Sequence, residues 1–187
     1  AGSAVGSNAL AGVAMANTQV ATAAAALGWM FAEWITHGKP SALGIASGVV
    51  AGLVAITPAA GFVGSMGAIA IGLVSGFVCL WAVISVKQRC GYDDSLDVFG
   101  IHGIGGIIGS VGTAFTMLAV LGGPAKPDYV LATQLWIQIK SVLVAIVWSA
   151  VGAAIAFYIA KALTGLRASP EAEREGLDLA EHGERAY

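Results

Sequence analysis

Of the 187 residues, 57% are hydrophobic and only 11% are charged, with a formal net charge of −2 and a mean hydropathy of +0.81. Soluble domains carry about 25% charged residues, so this chain cannot cover a water-facing surface, and no basic patch with interleaved aromatics supports nucleic-acid binding. The charges are segregated as well: none precedes Glu33, none lies between Lys39 and Lys87, and none between Lys140 and Lys161. The fold class that fits is an all-α polytopic membrane protein.

A span needs about 20 apolar residues to cross roughly 30 Å of hydrocarbon. Residues 1–9, opening "AGSAVGS", are too short to span and read as the end of a preceding transmembrane helix with an external loop. Residues 10–165 are predicted to hold five transmembrane helices. The first runs from about Leu10 to Trp34, and "THGKPS" turns the chain, with Ser41 as an N-cap for the second. That helix covers Ala42 to Ile56 and stops at Thr57-Pro58, where proline cannot continue it. The third is Phe62 to Val86. The fourth starts near Asp94 and ends at Gly122-Gly123, and the fifth runs from Val130 to Leu163. Residues 166–187 form a polar tail with six of the eleven acidic residues. In that tail Ser169-Pro170 starts a short helical turn and Gly176 ends it.

Loop charge orients the bundle. Lys39, then Lys87 and Arg89, then Lys161 and Arg167 fall on one side, while the other receives Lys126. The C-terminus is therefore expected in the cytoplasm and residues 1–9 outside. The spacings Gly48/Gly52, Gly72/Gly76 and Gly105/Gly109 allow close helix approach. Cys79 and Cys90 show no CxxC or metal-ligand spacing and are expected to be reduced. No cofactor or metal is implied, and no Ser/His/Asp set, HExxH or facing carboxylate pair is present, so an enzyme is not expected.

The residue that asks for a function is His102, in "SLDVFGIHGIGGIIGSVG". From Val98 to Ala125 there is no Asp, Glu, Lys or Arg. Intramembrane ionisable groups are costly, and they face the bundle interior or a pathway. On a helix Asp94 and Val98 lie below His102 and Gly105, Gly106 and Gly109 above it, a narrow stripe around one imidazole. A desolvated neutral ring keeps one donor and one acceptor. It can hand on a proton or bind a small polar solute; bonding to a neighbouring helix as a core histidine is the other reading. Asn17 and Gln19 are expected to bond between helices.

"DVFGIHGIGGIIGSVGT" resembles the penultimate helix of the ammonium transporter family. "NTQVATAAAALGWMFAEW", "GKPSALGIASGVVAGLVAITPAAGFV", "GLR" and "EREGLDLAEHGERAY" match in order, so the resemblance covers essentially the whole chain. It implies eleven transmembrane helices, from two inverted five-helix halves plus a long last helix, assembled as homotrimers in the inner membrane. The chain then corresponds to the C-terminal part, from the outer end of the sixth helix onward.

By the same resemblance, His102 is the second histidine of a central pore pair, and Val98 and Val50 are apolar pore-lining positions. Ser3 belongs to the external ammonium recruitment site, and Ser47 and Asp97 lie toward the inner vestibule. Asp94, eight residues before His102, is a helix cap or a support behind the pore. The tail, with Gly176, Asp178, Gly183 and Tyr187, resembles the segment that contacts PII-type signal proteins. The first pore histidine, the phenylalanine gate, the recruiting tryptophan and a buried aspartate are expected upstream of Ala1. The implied function is ammonium or ammonia transport. An ammonium sensor, or a truncated non-conducting scaffold that binds PII, is the alternative.

Overall fold

Asn8 starts the first helix by accepting a hydrogen bond from the Ala11 N–H at 3.0 Å, one of the donors that a helix start leaves unpaired. In the computed structural model, which describes residues 4–185, helix α1 then runs Ala9–His37 and closes on Gly38 at φ 77°. Ser41 caps α2, Ala42–Ile56, by accepting from the Gly44 N–H at 2.9 Å. Helix α3 is Ser65–Cys90, with a π-helical turn at Ala82–Val86. Helix α4 is Phe99–Thr116, opening with a π turn at Phe99–Gly103. A 3₁₀ turn, Ala119–Leu121, follows. Helix α5 is Leu131–Leu163, and the short tail helices are α6, Pro170–Glu175, and α7, Leu177–His182.

Each of the five apolar segments forms a helix. Among the described residues, α1, α3, α4 and α5 are long and apolar enough to cross a membrane, whereas α2 has 15 residues. At 1.5 Å per residue α2 reaches only about 22 Å. Its bounds are those expected from Ser41 and Thr57-Pro58. The fourth helix differs from expectation at both ends. It starts at Phe99 because the Asp94 side chain occupies the first free N–H groups and Asp97 sits at φ 56°, outside helical geometry. It ends at Thr116, and Leu118 turns extended before the 3₁₀ turn.

The chain divides into two compact units, Ala1–Val142 and Leu143–Tyr187. The division falls inside α5, ahead of the compositional switch expected at residue 166. In the first unit α1 packs on both α2 and α3, and α4 packs on α2 and α3. Small residues make this possible. A Cβ on Gly52 would stand 2.7 Å from the Ala25 Cβ and 2.8 Å from the Thr22 Cα. One on Gly48 would meet the Trp29 Cβ at 2.6 Å, and Gly72 and Gly76 lie against the α1 backbone at Ala21 and Ala25. Each glycine pair named from the sequence thus sits at a helix interface.

Polar groups in this unit are used locally. Asn17, 2% exposed, donates from Nδ2 to the carbonyls of Ala60 at 2.9 Å and Val63 at 2.7 Å. It straps α1 to the non-helical α2–α3 connection, while Gln19 is exposed. Thr18, Ser75, Thr113 and Thr116 donate back to carbonyls of their own helices, so their hydroxyls add little between helices. Cys79 is buried, Cys90 is exposed, and both are free.

In the second unit no residue of α5 is buried. Ser169 caps α6, accepting from the Ala172 N–H at 3.2 Å, with Pro170 at the helix start. Gly176, at φ 101°, separates α6 from α7, and Gly183, at φ 68°, closes α7. Arg167 pairs with Glu173 at 3.0 Å.

Candidate functional site

His102 lies inside the π turn that opens α4, and its residue is exposed. Burial by the chain's own helices, expected from the charge-free surroundings, does not occur. The buried stripe of α4 starts with Gly100, Ile101, Gly105 and Gly109 and continues through Thr113, Ala114 and Thr116. A Cβ on Gly105 would stand 3.3 Å from the Val54 Cγ1 and 3.5 Å from the Cys79 Sγ, and Gly109 lies against the Ala55 carbonyl. The π turn lodges one residue more than an α turn would. It therefore turns the face carrying Val98 and His102 away from the stripe that α2 and α3 cover.

The remaining face is apolar and open. Val98 is 49% exposed and Val50 36%, and a Cβ on Gly106 would meet nothing within 4 Å. Helix α4 meets α2 with Gly105 beside Val54 and Gly109 beside Ala55. Val50 lies one turn before Val54 on α2, and His102 precedes Gly105 by three residues on α4. Ser47, a further turn toward the start of α2, is half-buried. These helices carry two exposed valines, an exposed imidazole and an open glycine, with no charged side chain on α2 or on α4.

Charge gathers where α4 begins. The Asp94 carboxylate accepts from the Val98 N–H at 2.9 Å through Oδ1 and from the Phe99 N–H at 2.8 Å through Oδ2. It thereby occupies two of the donors that the helix start leaves free. Asp97 holds φ 56°, a conformation that aspartate tolerates better than most residues. Its carbonyl accepts from the Ile101 N–H at 3.0 Å, and its Oδ1 takes a 2.7 Å ion pair from Lys87 Nζ at the end of α3. Tyr92 meets Phe99 edge to face, with centroids 5.5 Å apart. Burial, with the Asp94 carboxylate next in importance, lifts the Tyr92 phenol above its usual value. At the end of α1, Glu33 accepts from the Ser41 N–H at 2.8 Å and from the Ser41 hydroxyl at 2.9 Å, which fixes the start of α2.

The site residues named from the sequence thus fall into separate groups. Val50 and Ser47 lie on α2 and Val98 and His102 at the start of α4, two helices that pack together, and Asp94 and Asp97 precede α4. Gly176, Asp178 and Gly183 belong to the tail helices, where Asp178 stands in the first turn of α7. Ser3 and Tyr187 lie outside the described residues.

The family model described as "Ammonium Transporter Family" matches residues 1–187. The chain belongs to the ammonium transporter family. It is 51% identical to an ammonium transporter of Aquifex aeolicus, covering all of this chain and 44% of that protein. It is 44% identical to an ammonium transporter of Bacillus subtilis, covering 46% of its length. The chain therefore spans less than half the length of these curated relatives. Among solved structures, one described as a sensor Amt protein superposes with a TM-score of 0.84 at 30% identity, over 96% of this chain and 44% of the other. The Saccharomyces cerevisiae Mep2 structure gives 0.73 at 34% identity, over 87% of this chain and 40% of that one.

Against this transporter family, two contributors to the site were missed in the sequence. Lys87 read only as a loop charge, yet it lies ten residues before Asp97 and across a short connection, a separation that lets opposite charges meet. Glu33 read only as the first charge along the chain, and its eight-residue distance from Ser41 brackets the turn that it closes. Among the described residues, no group of three or more His, Cys, Asp and Glu is placed to hold a metal ion.

Proposed function

We propose that this chain supplies one wall of an ammonium-conducting pathway across the inner membrane. The observation that supports it is the exposure of His102 and Val98 at the start of α4 and of Val50 on the adjoining α2, in a charge-free surface. Within the membrane such an imidazole meets a pathway or a covering protein face, not bulk water. Ammonium is recruited outside near Ser3, loses its proton, and passes as ammonia along His102, where the ring offers one donor and one acceptor. Ser47 and Asp97 mark the inner mouth, and Asp94 supports the start of α4. The opposing wall, with the partner histidine, belongs to the part of the relatives' length that this chain does not span. Binding and relay of a small solute suffice, with no enzymatic step.

On this reading the intact transporter is a homotrimer with its C-terminus in the cytoplasm. The tail from Arg167 onward, carrying Gly176, Asp178, Gly183 and Tyr187, is the docking segment for a PII-type signal protein. The test is methylammonium uptake by the full-length protein in cells lacking other ammonium uptake. His102→Ala should abolish uptake or alter its selectivity; unchanged uptake and selectivity would remove His102 from the pathway.

The likeness to a structure described as a sensor Amt protein favours a second reading, in which the protein signals more than it conducts. Flux in proteoliposomes separates the two: an ammonium-driven flux supports transport, and its absence with retained ammonium binding supports sensing.

A further inference from the structure

Among the described residues, the π turns of α3 and α4 abut. A Cβ on Gly100, in the α4 turn, would stand 2.7 Å from the Val83 Cγ2 and 3.3 Å from the Val83 N, in the α3 turn. The Lys87 N–H closes the α3 turn on the Ala82 carbonyl, five residues back. The side chain of this same Lys87 reaches across to Asp97, two residues before the α4 turn begins. A π turn is rare, and mostly occurs as a single turn inside an α-helix, frequently at functional sites. Two in contact, joined by an ion pair that starts on the residue closing one of them, need a physical reason.

The reason lies in how α4 is gripped on either side of His102. Beyond it, Gly105 and Gly109 seat the helix on Val54 and Ala55. Before it, Asp94 holds the Val98 and Phe99 N–H groups, Lys87 holds Asp97, and Gly100 rests on Val83. Between the two grips the chain carries the surplus residue of the π turn. Its closing bond is a divided one, since the Ile104 N–H is shared between the carbonyls of Phe99, five residues back, and Ile101, three back. Were the surplus released, the segment before the turn would rotate by about 100° relative to the segment after it, the angle of one α-helical residue. Gly105 and Gly109 fix the later segment, so Val98 and His102 are what would move.

We propose that Lys87, Asp97 and Gly100 are positioning residues that hold the α4 π turn and so set the angle at which His102 is presented. The proposal deepens the pathway reading above and rests on it for its effect on transport. Lys87 acts through Asp97, whose positive φ lets the carboxylate turn back toward α3 while its carbonyl accepts the Ile101 N–H. Gly100 acts through its missing side chain, which lets the two turns touch.

The experiment uses the full-length protein in lipid nanodiscs with ¹⁵N-labelled histidine, the His102 ring signals being those that vanish in His102→Gln. Lys87→Ala and Gly100→Val should each displace these signals and lower methylammonium uptake several-fold. Lys87→Arg, which keeps the cation facing Asp97, should hold both readouts near wild type, and Val83→Ala added to Gly100→Val should return them toward it. If Lys87→Ala does not reach the membrane folded, Lys87→Gln carries the same expectation. Ring signals that stay in place in the Lys87 variant and in Gly100→Val would overturn the proposal. The two readings fail separately. If His102→Ala leaves uptake intact while the ring signals follow Lys87, the pathway reading falls and the positioning stands. If uptake depends on His102 while its signals ignore Lys87 and Gly100, the positioning falls alone.

Discussion

Gly109→Ala is a one-carbon test of how α4 is held against α2. The new Cβ would lie against the Ala55 carbonyl group, 2.8 Å from its carbon and 3.0 Å from the Ala55 Cα. Non-bonded carbons settle at about 3.5–4.0 Å, so the two helix backbones would have to part by about 1 Å or more. Overpacking of this kind costs about 1–3 kcal/mol, and the obstructing atoms are backbone, which places this case in the upper half of that range. Alanine returns up to about 1 kcal/mol of helix propensity over glycine, which leaves a net loss of about 1–2 kcal/mol. Gly106→Ala is the control. It gains the same propensity and meets nothing within 4 Å, so it should be neutral or mildly stabilising. Unfolding midpoints in mixed micelles titrated with dodecyl sulfate should fall for Gly109→Ala and hold or rise for Gly106→Ala. Equal midpoints for the two variants would refute close backbone approach as the contact that fixes α4 on α2.

Asn17→Leu should cost about 1–3 kcal/mol in the same titration, because the carbonyls of Ala60 and Val63 lose their donor. A wild-type midpoint would mean that water or another group already serves them. Tyr129, in the connection before α5, donates to the Ala114 carbonyl, and burial holds its phenol above the usual value. The folded state thus favours the neutral ring. Its contribution to stability is complete below about pH 10, the unfolded value, and is lost as pH rises through the higher folded value. Wild type should therefore lose stability above about pH 10 more steeply than Tyr129→Phe, and parallel stability curves would contradict this.

How far the sequence could be read depended on whether a local signal decided the outcome. Ser41 and Thr57-Pro58 bracket α2 because a cap and a proline act through their own backbone, so both ends came out as expected. The Gly48/Gly52, Gly72/Gly76 and Gly105/Gly109 spacings likewise found helix interfaces, since close approach needs small residues whatever the partner. The start of α4 was misjudged because Asp94 to Asp97 fit a first helical turn by composition. Only the fold reveals that the Asp94 side chain takes the free N–H groups and that Asp97 turns to positive φ. The exposure of His102 was not legible at all. A charge-free stretch reports depth in the membrane; it does not report which side of a helix its neighbours cover. The π turns were hidden for a related reason, since a regular helical period was assumed through Gly100 and Gly103.

The short reach of α2 bears on how the protein is made. A 15-residue helix cannot settle across the bilayer by itself, so the turn after it arrives while the chain is still inside the hydrocarbon. Irregular backbone is tolerated there only when protein covers it, and Ala59, Ala60 and Val63 are indeed buried. The donor that serves two of their carbonyls is Asn17, on a helix synthesised earlier. Helix α1 therefore precedes in synthesis the two carbonyls that its amide serves in this fold, and the α2–α3 connection is held once Ala60 and Val63 reach it. The order of synthesis thus makes α1 the surface on which α2 and α3 come to rest.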